Sequence, residues 1–152
     1  MASVPKEDTA TLLKAKRALD DDYVPSELED YMSEAQVNYF RVLLLEWKRS
    51  ILSASEGTLQ NLQDGPIREP DLNDRASSEA DWGIELRTRD RQRKLISKID
   101  AALRRIEGGE YGWCEVTGEP IGIKRLTARP IATMTVEAQE AHERREKISR
   151  DD

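Results

Sequence analysis

The chain has 152 residues, with 24 Lys and Arg against 30 Asp and Glu, a net charge of −6, 38% hydrophobic residues and few aromatics: one Phe, four Tyr and three Trp. That composition is thin for one large round core and ordinary for long helices with narrow apolar seams. The acidic balance argues against non-specific DNA binding, and a single cysteine excludes an intramolecular disulfide and a cysteine-rich metal site. No basic-then-apolar leader opens the sequence and no apolar run approaches ~18 residues, so secretion and membrane spanning are not expected and the cytoplasm is the expected location.

In chain order, residues 9–19 carry a short helical pattern (Leu12, Leu13, Ala15, Ala18, Leu19). The clearest start signal follows in YMSEAQVNYF. Ser33 and Gln36 make a capping box, and Met32 with Val37 a hydrophobic staple. From there Val37, Phe40, Leu44, Trp47 and Ile51 recur in alternating steps of three and four, a coiled-coil seam that thins to Ala54 and Leu62. Gly65 and Pro66 should stop this helix. After the loop 64–73, a second long helix should begin at Asn73 or Asp74 as cap, run through Ala76, Ala80, Ile84, Leu95, Ile99, Ala102 or Leu103 and Ile106, and end at Gly108–Gly109. Two arms of about thirty residues, each ~45–50 Å long, read as an antiparallel helical hairpin. Its middle stretch, RTRDRQRK, offers almost nothing apolar and should be loosely sealed.

The hairpin's open ends, near 33 and 108, must lie together, so the flanking segments should form one globular base. The expected division is 1–32 as the N-terminal part of the base, 33–108 as a coiled-coil finger with its tip near 65–76, 109–134 as a knuckle-like part of the base, and 135–152 as a C-terminal helix with Thr135 as a possible cap. The fold class is mainly α. Residues 113–123 read as a small strand-turn-strand around Gly118 and Pro120. Trp113, Val116, Ile121, Ile123, Leu126, Ile131, Met134 and Val136 are candidates for the apolar cluster of the base.

Charge is unevenly spread. Residues 85–105 hold eight cations (Arg87, Arg89, Arg91, Arg93, Lys94, Lys98, Arg104, Arg105) against three acids (Glu85, Asp90, Asp100). A basic stripe on an acidic chain suits a specific anionic partner or ligand, or else a solvated helix face. The segment CEVTGEPIGIKRL has the outline of a zinc knuckle, yet the position for a second cysteine is Thr117. Cys114 reads either as a small buried hydrophobe or as a redox-sensing thiol with no resolving partner in the chain.

The segments YMSEAQVNYFRVLLLEW, PDLNDRAS, ELRTRDRQRKLISKID, YGWCE and GEPIGIKRLTARP, in this order and spacing, resemble the DksA family of bacterial transcription regulators, over about Tyr31 to Lys147. The resemblance implies a coiled-coil finger on a base with a four-cysteine zinc site. It also implies a finger that enters the secondary channel of RNA polymerase and a factor that destabilises promoter open complexes with guanosine tetraphosphate. The family's zinc ligands fall on Cys114, Thr117, Thr135 and Ala138, and His142 is the only histidine, so no zinc is expected here. The functional tip maps onto Asp71, Asp74 and Ala76, with capping as a compatible role for Asp74. The alarmone and polymerase-rim contacts map onto Arg91, Leu95, Lys98 and Arg129; a further, usually cationic position is Gln139, for which Arg125 or Lys124 could compensate.

The expected function is therefore that of a non-enzymatic regulator, a monomer that binds RNA polymerase without direct sequence-specific DNA binding and without a membrane. The alternative is a Gre-type factor that stimulates transcript cleavage or relieves backtracking through its acidic tip. An internal finger flanked by base segments argues against it. A coiled-coil interaction module without a polymerase role would show a stronger seam over 85–94. One His, one Cys and no Gly-rich loop leave no recognisable catalytic cluster.

Overall fold

The computed structural model of the chain describes residues 5–64 and 72–151, with side chains described for 5–56 and 76–150. Five helices stand among the described residues: α1 (Lys6–Arg17), α2 (Glu34–Asp64), α3 (Leu72–Glu107), α4 (Ile123–Ala128) and α5 (Val136–Asp151). The mainly helical architecture expected from the periodicity is present: α2 and α3 pack against each other as a long hairpin, and α1 packs on α2.

Capping fixes where the finger begins. Ser33 Oγ accepts the Gln36 N–H at 3.3 Å, and Gln36 Oε1 reaches back to the Met32 N–H at 2.8 Å. The box thus closes one residue earlier than the usual reciprocal pair. Gln36 is fully buried, and its amide donates to Ser26 O (3.0 Å) and Glu29 Oε2 (3.1 Å), so one side chain ties the incoming segment to the helix start. Helix α1 starts earlier than its apolar pattern, directly after Pro5, which is tolerated at a helix N-terminus because no intrahelical N–H is needed there.

The core lies at the open end of the hairpin. Phe40, Leu44 and Ile51 of α2 meet Ile99, Ala102 and Ile106 of α3, and the cluster continues into the base through Tyr111, Cys114, Ile121, Ile123, Leu126, Ala132 and Ala138. A chain of aromatic contacts runs through it: Tyr39 meets Phe40 edge-on at 5.3 Å between centroids, and Phe40 meets Tyr111 at a tilt at 5.7 Å. Of the apolar residues expected in the base, Trp113, Val116 and Val136 are instead exposed. Tyr111, Ala132 and Ala138 take the space, because the base closes on the hairpin end rather than on itself.

The seam of α3 also differs from the expected phase in its outer half. Ala76, Ala80 and Ile84 are exposed, whereas Ser78, Trp82, Glu85, Thr88 and Gln92 are partly buried and lead without a break to Leu95, Ile99, Ala102 and Ile106. These positions repeat at near-heptad spacing, so the seam is regular but largely polar. Across it Ser55 Oγ donates to Gln92 Oε1 at 3.0 Å, and on α2 the seam passes through Ser55 while Ala54 is exposed. Over RTRDRQRK the seam positions Thr88 and Gln92 are polar and only partly buried, and the Ser55–Gln92 bond crosses it there.

Two further expectations are corrected. Helix α3 begins at Leu72, so Asn73 and Asp74 fall within its first turn rather than at its cap. The expected strand-turn-strand over 113–123 reduces to one isolated antiparallel bridge between Trp113 and Pro120, after which the chain turns into α4. The proposed stop at Gly65–Pro66 lies outside the described residues.

Candidate functional site

The finger and the knuckle beside its open end are the two places where chemistry-bearing residues gather. On α3, Arg87, Arg91, Lys94 and Lys98 are exposed and follow one another in steps of four, three and four, which lines them along one face; none makes an ion pair among the described residues. Leu95 is half-buried against the core, beneath that stripe. Lys98 precedes the buried Ile99, and Arg129, exposed just after α4, follows the buried Leu126; Ile99 and Leu126 belong to the same core cluster. Lys98 and Arg129 thus flank one packed unit, although no hydrogen bond joins them. Arg125 is committed elsewhere: its Nε donates to Met134 O at 2.8 Å. Gln139 Nε2 donates to Glu143 on its own helix at 3.0 Å. Of the three tip residues, Ala76 is exposed on α3, Asp74 lies in the first turn of α3 with its side chain outside the described set, and Asp71 lies outside the described residues.

The knuckle is built by backbone bonds. Cys114 N–H donates to Glu119 O (2.8 Å) and Gly118 N–H to Cys114 O (2.9 Å), with Gly118 at φ +74°, where glycine is favoured. Glu115 N–H donates to Thr133 O at 2.9 Å, which brings the chain before α5 alongside the turn. Thr135 caps α5 as expected, its Oγ1 accepting the Ala138 N–H at 3.2 Å. The Cys114 thiol is buried. Burial pushes it up, but the Thr117 hydroxyl and the backbone N–H groups of Thr117, Thr135 and Val116 outweigh that and bring it down to about 7. The thiol thus sits within the core cluster and faces hydrogen-bond donors rather than a charged side chain.

Two side chains, Tyr31 and Arg105, hold this unit to the finger and a third, Lys48, ties α1 to it, roles that the sequence pattern did not mark. Tyr31 Oη donates to Gly112 O (2.6 Å), accepts the Gly122 N–H (2.9 Å), and its ring meets Trp113 edge-on at 5.2 Å. Arg105 donates to Glu110 O (3.2 Å) and Trp113 O (2.7 Å) beyond the end of α3. Lys48, buried on α2, joins Asp8 of α1 (2.6 Å) and Asp100 of α3 (2.8 Å). No periodicity marks such residues; a lysine at a seam flank and a tyrosine before a cap look ordinary until the packing is known.

Comparison with known proteins places this geometry. Residues 36–106 match the family model described as DnaK suppressor protein DksA, N-terminal domain, and residues 109–144 match that of the prokaryotic dksA/traR C4-type zinc finger. The chain is similar to an RNA polymerase-binding transcription factor DksA of Caulobacter vibrioides, 60% identical over 144 residues that cover 95% of this chain and 99% of the relative. It is 42% identical to that of Escherichia coli over 119 residues, 78% of this chain and 79% of the relative. The structure of transcription factor DksA2 from Pseudomonas aeruginosa superposes with a TM-score of 0.70 at 45% identity, covering 79% of this chain and 94% of that one.

The zinc-finger match corrects the expectation of a chain without zinc: segment 109–144 belongs to a C4-type zinc-finger family, and a metal is what that family implies. The matched segment includes Cys114 and the turn at Gly118. The donor set here is one thiol, the hydroxyls of Thr117 and Thr135, and Ala138, which offers none; among the described residues no three His, Cys, Asp or Glu side chains converge. These residues do not fit a four-sulfur tetrahedral site, and no step of function is routed through a metal. Among the described residues no helix is long and apolar enough to cross a membrane.

Proposed function

The chain belongs to the DksA family, and from that premise we propose that it is a transcription regulator that binds RNA polymerase through its helical finger and acts on open-complex stability in the secondary channel. The observation that carries the reading is the identity of 60% along nearly the whole length of an RNA polymerase-binding transcription factor, combined with a two-helix finger that this length builds. The relatives are named as transcription factors, and we propose that this chain too acts without catalysis of its own.

In this reading α3 supplies reach and charge. At ~1.5 Å per residue its 36 residues span ~54 Å, enough to hold the first turn, with Asp74, far from the base. Asp71, Asp74 and Ala76 would face the polymerase active centre. Arg91, Leu95, Lys98 and Arg129 would face the rim and the pyrophosphates of guanosine tetraphosphate, where cationic donors are needed. Arg125, bonded to Met134 O, would help chiefly by fixing the loop that carries Arg129. Co-purification of the full chain with core RNA polymerase tests the reading: a stoichiometric complex weakened by Arg91→Ala is expected, and no complex at low salt would overturn it.

A further inference from the structure

Helix α4 has six residues, too few to hold a place by its own hydrogen bonds, and the residue that follows it is the exposed Arg129. Ile123 and Leu126 anchor one face of α4 in the core cluster. Pro130 keeps Arg129 out of the helix, at φ −141° and ψ 84°, so the cation leaves the end of α4 on extended backbone. Its N–H still donates to Arg125 O at 2.7 Å, and its carbonyl accepts the Ala132 N–H at 3.0 Å. The placement of Arg129 therefore follows that of α4, and whatever holds the two ends of α4 holds the cation.

Each end is held by a tyrosine hydroxyl. Before α4, the Gly122 N–H donates to Tyr31 Oη at 2.9 Å, and that hydroxyl donates in turn to Gly112 O at 2.6 Å. After α4, Tyr111 Oη donates to Pro130 O at 2.7 Å. The two tyrosines stand at the feet of the two finger helices. Tyr31 directly precedes Met32, whose N–H is bound by Gln36 of α2, and Tyr111 follows α3, its N–H donating to Arg105 O at 3.1 Å. The Tyr111 ring is buried against Phe40, so packing fixes the ring and aims its hydroxyl. Burial pushes both hydroxyls up, which keeps them protonated donors in ordinary buffers. Lys98 stands on α3, one residue before the buried Ile99. The hydroxyls thus tie the helix that leads to Arg129 to the finger, one arm of which carries Lys98.

We propose that Tyr31 and Tyr111 are positioning residues: their hydroxyls set the spacing between Arg129 and Lys98 at which both cations hold one nucleotide that bears two pyrophosphate groups. This rests on the function proposed above, in which the two cations face guanosine tetraphosphate. A guanidinium binds phosphate through a planar fork of donors, so an arginine whose backbone is loosened keeps its charge and loses its directed bonds. Neither tyrosine touches the nucleotide. Removing a hydroxyl therefore leaves the charge of the surface and the tip of the finger as they are, and loosens only the place from which Arg129 reaches.

The test is a titration of guanosine tetraphosphate against open-complex lifetime at a sensitive promoter, with the factor saturating, for Tyr111→Phe, Tyr31→Phe and Arg129→Ala beside the parent. Each tyrosine variant should raise the half-maximal nucleotide concentration by roughly three- to tenfold, while polymerase binding and the effect on lifetime without nucleotide stay at parental values. Amide exchange at Arg129 and Ala132 should speed up in the free variants. A parallel fall in binding and in the nucleotide-free effect is what a merely structural role would give, and it overturns the proposal. An unchanged half-maximal concentration, or unchanged exchange at both amides, does the same. Arg129→Ala should raise the half-maximal concentration at least as far; if it does and the tyrosine variants do not, only the positioning role falls. If Arg129→Ala changes nothing, or the parent ignores the nucleotide, the reading of Arg129 falls and the positioning role with it. Circular dichroism checks each fold, and Tyr111→Phe, which loses one bond and keeps its ring in the core, decides the matter if Tyr31→Phe fails to fold.

Discussion

Lys48→Met should release α1 from the finger. The Lys48 ammonium lies 2.6 Å from Asp8 and 2.8 Å from Asp100, with 9% of its side chain exposed against 24% and 37% for the two carboxylates. Removing one partner of a fully buried pair costs about 3–5 kcal/mol because a charge is left uncompensated. Here Asp100 is more than a third exposed and water can reach it, so the expected loss is smaller, about 2 kcal/mol. For a chain of this size that is a fall in Tm of roughly 4–8 °C. Burial alone would push the Lys48 ammonium down, but its bonds to Asp100 and Asp8 outweigh that and hold it above 10.5. A raised value means the stabilisation is complete below the ordinary lysine range and is lost as pH rises through the folded-state value. The parent should therefore lose stability in alkali and Lys48→Met should lose less. Hydrogen exchange should speed up in Lys6–Arg17, while the segment around Ile99 and Ile106 stays protected. A Tm within about 1 °C of the parent, or unchanged exchange in α1, refutes the reasoning.

Three further outcomes follow from the base. Tyr31→Phe keeps the ring against Trp113 but leaves Gly122 N–H without its partner and Gly112 O with only the Ile121 N–H; urea unfolding should show a loss of about 1–3 kcal/mol, and a loss near zero would mean the hydroxyl is not the latch. Gly112→Ala should cost more than Gly118→Ala, because both have positive φ but only at Gly112 would a Cβ come within 2.7 Å of Met32 Sδ; equal Tm losses would show that Met32 yields freely. The Glu29 carboxylate accepts bonds from Tyr23 Oη (2.7 Å), the Gln36 amide and Ser26 N–H, and is held below the usual 4.5. Its contribution is thus present above pH 4.5 and is lost as pH falls through the lower folded-state value; Glu29→Gln should flatten the acid limb of a Tm-versus-pH profile, and an unchanged limb would exclude this group.

How much of this was legible in the sequence depended on the kind of force involved. Helix starts governed by local bonds were readable: Ser33 with Gln36, and Thr135 before α5, act within four residues. The inner half of the seam was readable because Leu95, Ile99 and Ile106 are apolar. The outer half was not, since Gln92, Thr88 and Glu85 occupy seam positions and the exposed Ile84 offered a false phase. The latches Tyr31, Arg105 and Lys48 bond to partners that only the tertiary fold brings near; Tyr31 meets Gly112 across 81 residues. The metal expectation failed for a different reason. Counting ligands weighed four positions only, whereas the whole segment 109–144 matches a C4-type zinc-finger family.

The account rests most heavily on a finger whose docking face and acting tip are separate, with Asp74 in the first turn of α3 ~26 Å along the helix axis from Arg91 and ~36 Å from Lys98. Open-complex lifetime at a sensitive promoter, measured with the parent and Asp74→Asn beside direct polymerase binding, tests that most directly. Asn retains shape and removes only the charge. The account predicts that both proteins bind polymerase equally and that the parent shortens the lifetime while Asp74→Asn does not. A parent that leaves the lifetime unchanged, or a variant that shortens it as much as the parent, would contradict it.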